Sequence, residues 1–248
     1  MRKNKVKQLW ENGRYVVNGW LHIPSARSAE AMAHQGYDSL TVDMQHGMMG
    51  LETAIVMLQA ISTTDVVPMA RVPWNEPVEI MRLLDAGAYG IICPMINTRE
   101  ECEQFVGACR FHPNGYRSLG PTRAVIYAGA DYAGQANDEI MTMAMVETVT
   151  AVNNVEDIVS VPGLDAIYVG PGDLSLTMYG KRIESSEAPD FLATLDKIVA
   201  ACKKHGVAAG IHTNSPDYAQ KMIDRGFNFV TMMTDTKLMA TKARETIT

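Results

Sequence analysis

Glu147 and Asp173 are the acidic pair from which this sequence can be read as a reaction centre. Each stands at the end of a short apolar run. Residues 140–146, rich in methionine, stop at Glu147, and residues 164–169 stop at Gly170-Pro171-Gly172 with Asp173 just beyond. Runs of this kind, cut off by glycine and proline, read as buried strands. Taken singly, Asp173 reads as a helix cap and Glu147 as the partner of a cation. Their matching places in successive units favour a shared site. Two carboxylates converging on one edge of a parallel sheet offer the oxygen donors that Mg²⁺ or Mn²⁺ prefers, and they leave open positions for water and substrate.

Other reactive side chains fall at the same kind of position. His46, in Asp43-Met44-Gln45-His46-Gly47, follows a strand in a glycine-ended turn, where an imidazole accepts a proton near neutral pH or is simply hydrogen-bonded in a loop. Arg71 ends another strand and can grip a carboxylate or a developing oxyanion bidentately, or form a salt bridge with Asp43 or Glu147. Asp43 can organise metal-bound water or cap a helix. Trp20 and His212 shape the pocket, with packing the competing role for Trp20. Gly170, Pro171 and Gly172 lead into a helix start whose free N–H groups suit a small carboxylate. No glycine-rich turn follows the seventh or eighth strand, which argues for an unphosphorylated substrate. The lysines from Lys181 to Lys242 fall in predicted helices and loops, which disfavours Schiff-base chemistry.

These residues need elements to hold them. The pattern predicts strands at 15–22, 37–43, 66–71, 89–94, 140–146, Ala166–Val169, 207–211 and 229–232. Helices are predicted at 3–12, 28–35, 51–62, 76–85, 98–110, 154–161, Pro189–His205 and 215–225, with a last one from Asp235. Residues 111–137 show no clear period and read as an ordered excursion or lid, whose Arg117 and Arg123 can reach an anionic ligand. Eight alternating units predict a single (β/α)₈ barrel, α/β in class, spanning residues 1–248. Neither Gly-x-Gly-x-x-Gly nor a Walker-type loop is present, which disfavours a doubly wound nucleotide fold.

Composition agrees with that reading. The 248 residues are 47% hydrophobic and 20% charged, enough apolar material for one large core. A net charge of −6 excludes general affinity for nucleic acid or an anionic membrane, so a small molecule is the expected partner. Cys93, Cys102, Cys109 and Cys202 lack Cys-x-x-Cys spacing and read as reduced packing thiols in a cytoplasmic protein. The 17 methionines read as adaptable core filler.

Four segments together resemble a known family: Val42-Asp43-Met44-Gln45-His46-Gly47, then Arg71-Val72-Pro73-Trp74-Asn75-Glu76-Pro77, then Glu147, then Gly170-Pro171-Gly172-Asp173-Leu174-Ser175. In order and spacing they resemble the HpcH/HpaI family of class II, metal-dependent pyruvate aldolases. The resemblance implies that Glu147 and Asp173 bind Mg²⁺, Mn²⁺ or Co²⁺ and that the ion chelates pyruvate or hydroxypyruvate. It implies that His46 transfers a proton through a metal-bound water, that Arg71 steadies the keto or enolate oxygen, and that Asp43 positions water. Asp85 matches a family aspartate that orients the histidine, in part across a subunit boundary, and its other reading is the end of a helix. The family forms hexamers with an exchanged C-terminal helix. Two departures, Gln45 where several members carry Glu and Met145 where some carry Gln, bear on metal preference and substrate range. Rival readings are an oxaloacetate decarboxylase, a CoA-ester lyase related to citrate lyase, and a keto-acid-binding protein without turnover. The CoA reading calls for a basic patch that the sequence does not show.

Overall fold

Every short apolar run becomes a strand of one closed parallel sheet: β1 (Val16–Leu21), β2 (Ser39–Asp43), β3 (Val67–Arg71), β4 (Gly90–Cys93), β5 (Met141–Val146), β6 (Ala166–Val169), β7 (Ala208–Thr213) and β8 (Phe229–Thr234). The structure, a computed structural model, describes residues 1–247. Each strand pairs with its successor, and β8 returns to β1, so no edge is left unpaired. β2 to β6 are buried along their whole length because helices cover the outer face and side chains fill the inner one.

The helices are α1 (Lys5–Glu11), α2 (Ala26–Ala33), α3 (Leu51–Ile61), α4 (Pro77–Asp85), α5 (Arg99–Cys109), α6 (Thr122–Ala128), α7 (Tyr132–Glu139), α8 (Val149–Asn153), α9 (Val155–Val159), α10 (Pro171–Tyr179), α11 (Pro189–His205), α12 (Pro216–Asp224) and α13 (Asp235–Ile247). Local chemistry fixes many of their starts. Thr98 and Glu101 form a reciprocal capping box on α5, and Ser25, Thr148 and Ser215 each accept from a backbone N–H at their own helix start. None of the described helices is long and apolar enough to cross a membrane.

Alternation along the strands decides which side chains enter the barrel. Asn18, Trp20 and His22 share one side of β1 and its exit, as do Thr41 and Asp43 on β2, Met69 and Arg71 on β3, and Tyr168 and Gly170 on β6 and its exit. The interior is partly polar and fully connected. Asn18 accepts from Ser39 (2.8 Å) and Thr41 (3.0 Å) and donates to Thr231 (2.9 Å), which in turn accepts 2.7 Å from the Tyr168 hydroxyl. At its narrow point the barrel is packed by the Met69 and Met141 methyls against Gly90 and by Met143 and Tyr168 against Gly210. All four cysteines are buried free thiols.

The lid expected at residues 111–137 is not over the strand exits. The segment contains α6 and α7 and leads from the end of α5 into the start of β5, so it lies at the N-terminal end of the barrel. Its two arginines serve packing there. Arg117 donates 2.6 Å to Asp85 and lies over the Phe111 ring, while Arg123 donates to the Ala86 carbonyl and the Ser62 hydroxyl. α1 closes the same end through Asn4, which holds Tyr89 and Glu139.

Candidate active site

At the opposite end, the strand exits surround a cavity of about 400 Å³. Its wall includes Trp20, His46, Arg71, Glu147, Gly170, Pro171, Gly172, Asp173 and His212, so these residues from separate strands and turns meet in one place. Asp43 lies directly behind the wall, fully buried.

Asp43 is the hub of this wall. Its carboxylate accepts from Arg71 Nε (2.8 Å) and Nη2 (2.6 Å), from Trp20 Nε1 (3.1 Å), and from the backbone N–H groups of Gln45 (3.0 Å) and His46 (3.3 Å). His22 Nε2 stands 2.7 Å away on the same carboxylate. Burial alone would raise the pKa of Asp43, but the hydrogen bonds from His22 and Arg71 and the adjacent guanidinium hold it well below the usual carboxylate range. Asp43 is therefore a permanent anion with its lone pairs committed, and Arg71 is fixed bidentately above the Trp20 ring at 4.8 Å.

Glu147 is the reverse case. It is 2% exposed, and Oε1 accepts one hydrogen bond, 2.8 Å from the Met95 N–H. Met95 adopts a left-handed backbone, φ 56°, which turns that N–H toward the carboxylate. A Cβ on residue 170 would come within 2.4 Å of Glu147 Oε2, so Gly170 leaves that oxygen accessible. Burial pushes the Glu147 pKa up to about 7, and the negative charge of Asp173 adds to the rise. No ion pair among the described residues involves either carboxylate. Two acceptors facing one cavity, one of them lifted by burial and by its neighbour, fit a divalent cation. No group of three or more His, Cys, Asp or Glu that could hold a metal ion occurs among the described residues, so a cation at this wall would find two protein carboxylates and would need water or substrate for its other positions.

The imidazoles differ in role. His46 opens to solvent at the rim, and the partial loss of water on its inner side together with the Arg71 charge lowers its pKa, so it is neutral and able to accept a proton near pH 7. His212 is pushed down to about 3 by burial and by Arg71, and its Nδ1 stands 3.2 Å from the Tyr168 hydroxyl. It forms wall. Trp20, 2% exposed, stacks on Tyr168 with centroids 5.4 Å apart.

Asp85 does not join this group within the chain. It ends α4, at the far end of the barrel, where its carboxylate holds Arg117. Lys237 lies in a helix, α13, as expected, and from there it lines the cavity. His22, Arg182 and Glu184 also line the cavity. His22 was readable in principle, two positions beyond Trp20 on the same side of β1. Arg182 and Glu184 sit in an aperiodic loop after α10, where spacing carries no signal.

Comparison with known proteins adds the lineage. The sequence profile of the HpcH/HpaI aldolase/citrate lyase family matches residues 17–241. The chain is 36% identical to a hydroxypyruvate/pyruvate aldolase of Rhizorhabdus wittichii, covering 98% of this chain and 97% of the relative. It is 32% identical to a 4-hydroxy-2-oxo-heptane-1,7-dioate aldolase of Salmonella dublin, covering 96% and 91%. Among solved structures, a family protein from Burkholderia cenocepacia superposes with a TM-score of 0.91 at 30% identity, covering 99% of this chain and 98% of that one.

Proposed function

The chain belongs to the HpcH/HpaI aldolase/citrate lyase family, and from that premise we propose that it is a class II aldolase, joining the enolate of pyruvate or hydroxypyruvate to an aldehyde and cleaving 4-hydroxy-2-oxo acids in reverse. The observation that carries the reading is the cation-free pair formed by the buried Glu147 and the exposed Asp173 on one cavity wall, beside a clamped arginine. Glu147 and Asp173 would hold Mg²⁺, Mn²⁺ or Co²⁺, which when bound supplies the Lewis acidity that makes a C–H beside a ketone removable.

The chain's own groups do the rest. Backbone N–H groups at the start of α10, opened by Gly170-Pro171-Gly172, receive the substrate carboxylate. His46 removes a proton from the carbon next to the ketone, and the electron pair of that C–H bond moves onto the ketone oxygen as the enolate. Arg71, immobilised by Asp43, steadies the negative charge on that oxygen. The enolate carbon then forms a bond to the aldehyde carbon, and the new alkoxide takes the proton back from His46. Trp20 and His212 bound the pocket and limit its water. Asp85 would act on His46 only from a neighbouring subunit. Beyond its first turn α13 is exposed, which suits a helix exchanged within a homo-oligomer such as a hexamer in the cytoplasm.

Exchange of pyruvate methyl protons in deuterated water tests this reading. Exchange is expected to vanish on chelation, to return with added Mg²⁺, Mn²⁺ or Co²⁺, and to slow at least about tenfold in His46→Ala. Full exchange by thoroughly metal-free protein, or by the variant, would overturn it.

A further inference from the structure

We infer that Asn97, which lies outside the cavity wall, sets the grip of Glu147 on a divalent cation by holding Met95 in the backbone conformation from which it donates to that carboxylate; the inference rests on the metal-dependent reading above. Glu147 has one hydrogen-bond donor among the described residues, the Met95 N–H at 2.8 Å. That donor depends on a φ of 56°, a region that a residue with a side chain enters only where its surroundings keep it there. Left to itself, Met95 would turn and carry its N–H away. The opening that Gly170 leaves at Glu147 Oε2 serves only a carboxylate fixed in this orientation.

Asn97 supplies the hold. Its Nδ2 donates 2.8 Å to the Met95 carbonyl, two residues back along the chain, and its Oδ1 accepts from the hydroxyl of Thr148, the residue next to Glu147. One amide therefore joins the residue that donates to the neighbour of the residue that accepts. Thr148 accepts 3.0 Å from the Ala151 N–H at the start of α8, so its single proton is free for Asn97. The backbone of Asn97 is pinned as well. Its N–H donates 2.6 Å to Glu101 Oε2 on α5, and its carbonyl accepts 2.8 Å from Asn154 Nδ2 between α8 and α9. The Ile96 N–H adds a backbone tie of 3.3 Å to the Met145 carbonyl, but among the described residues no other side chain holds the Met95 carbonyl. Asn97 reaches neither the cavity nor a reacting atom, so it is a positioning residue and acts through Met95.

Calorimetric titration of metal-free protein with Mn²⁺ provides the test. Asn97→Ala is expected to weaken the Kd for Mn²⁺ at least about tenfold, the loss typical when a group that orients a metal ligand is removed. Adding Met95→Gly to that variant should win back at least about threefold, because glycine enters the left-handed region with no side chain to oppose it. Met95→Val, whose branched side chain resists that region, should weaken binding about tenfold with Asn97 in place, and it decides the matter where Asn97→Ala does not fold. Wild-type affinity in Asn97→Ala or in Met95→Val overturns the inference. So does a loss in Asn97→Ala that Met95→Gly leaves untouched, because the asparagine would then only brace its loop. Those outcomes leave the aldolase reading standing, whereas wild-type protein that binds no Mn²⁺ fails the metal-dependent reading itself and the inference with it.

Discussion

At the N-terminal end of the barrel the Arg110 guanidinium, 3% exposed, donates to Thr142, to the Gly163 carbonyl and to Asp165, whereas at the other end Glu147, 2% exposed, accepts one hydrogen bond from Met95. The closed end also pairs Glu139 with Lys3 and the Asn4 N–H, each at 2.7 Å, and encloses Arg117 between aromatic rings and Asp85. Both ends bury charge. At the closed end each of these buried charges faces an opposite one, although Arg110 Nη1 and Arg117 Nε keep no hydrogen-bond partner. At the open end Asp43 is saturated with donors while Glu147 and Asp173 are left without a cation, so the same depth of burial gives a permanent anion in one case and a carboxyl lifted to about 7 in the other. Partners, more than depth, decide whether a buried charge serves the fold or a ligand.

Substitutions at each end should separate these roles. The largest effect is expected from Glu147→Gln, which should lower kcat/KM by roughly 10³-fold, the several kcal/mol that a Lewis acid contributes, while leaving the thermal midpoint of metal-free protein the same or higher. Steady-state kinetics with pyruvate and glycolaldehyde, and a melting curve, check both halves. Next is Arg71→Met, in which the comparison should break down because one residue does both jobs. It takes the guanidinium from Asp43 but leaves it Trp20, His22 and two backbone N–H groups, so a loss of about 3 kcal/mol in denaturant unfolding should accompany a drop of roughly 10²-fold in turnover. Arg110→Met at the closed end should cost about 3 kcal/mol of stability with kcat/KM unchanged in the folded fraction, because Asp165 keeps Lys7 at 2.7 Å.

The smallest effect is a pH dependence. Glu147 binds its proton more tightly folded than unfolded, so between about 4.5 and about 7 the native state carries the extra proton and stability falls as pH rises. In metal-free protein the fall should reach about 2 kcal/mol over that window, discounted from the full shift because the mouth opens to water. Glu147→Gln should flatten the curve. Urea titrations at several pH values measure it.

Much of the open end was legible in the sequence because strand alternation and glycine–proline stops are local signals. Trp20, Asp43, Arg71, Glu147 and Asp173 all lie at strand exits, where a period of two and an abrupt turn fix the direction. What escaped depends on long-range approach. The donation from Met95 to Glu147 needs a left-handed methionine that no propensity predicts, and Arg182 reaches the wall only because its loop folds back over α10. Residues 111–137 escaped for another reason. Their glycines and tyrosines hid two short helices, and the order of elements, more than composition, places them at the closed end.

The polar thread inside the barrel has a mechanical consequence. Asn18, Thr231 and Tyr168 run from the waist of the sheet to His212 at the rim, linked by contacts of 2.9, 2.7 and 3.2 Å. The pocket wall is thus suspended from the middle of the cylinder, and a methyl put in place of the Thr231 hydroxyl, remote from any reacting atom, would leave the buried Tyr168 hydroxyl with His212 as its one remaining partner.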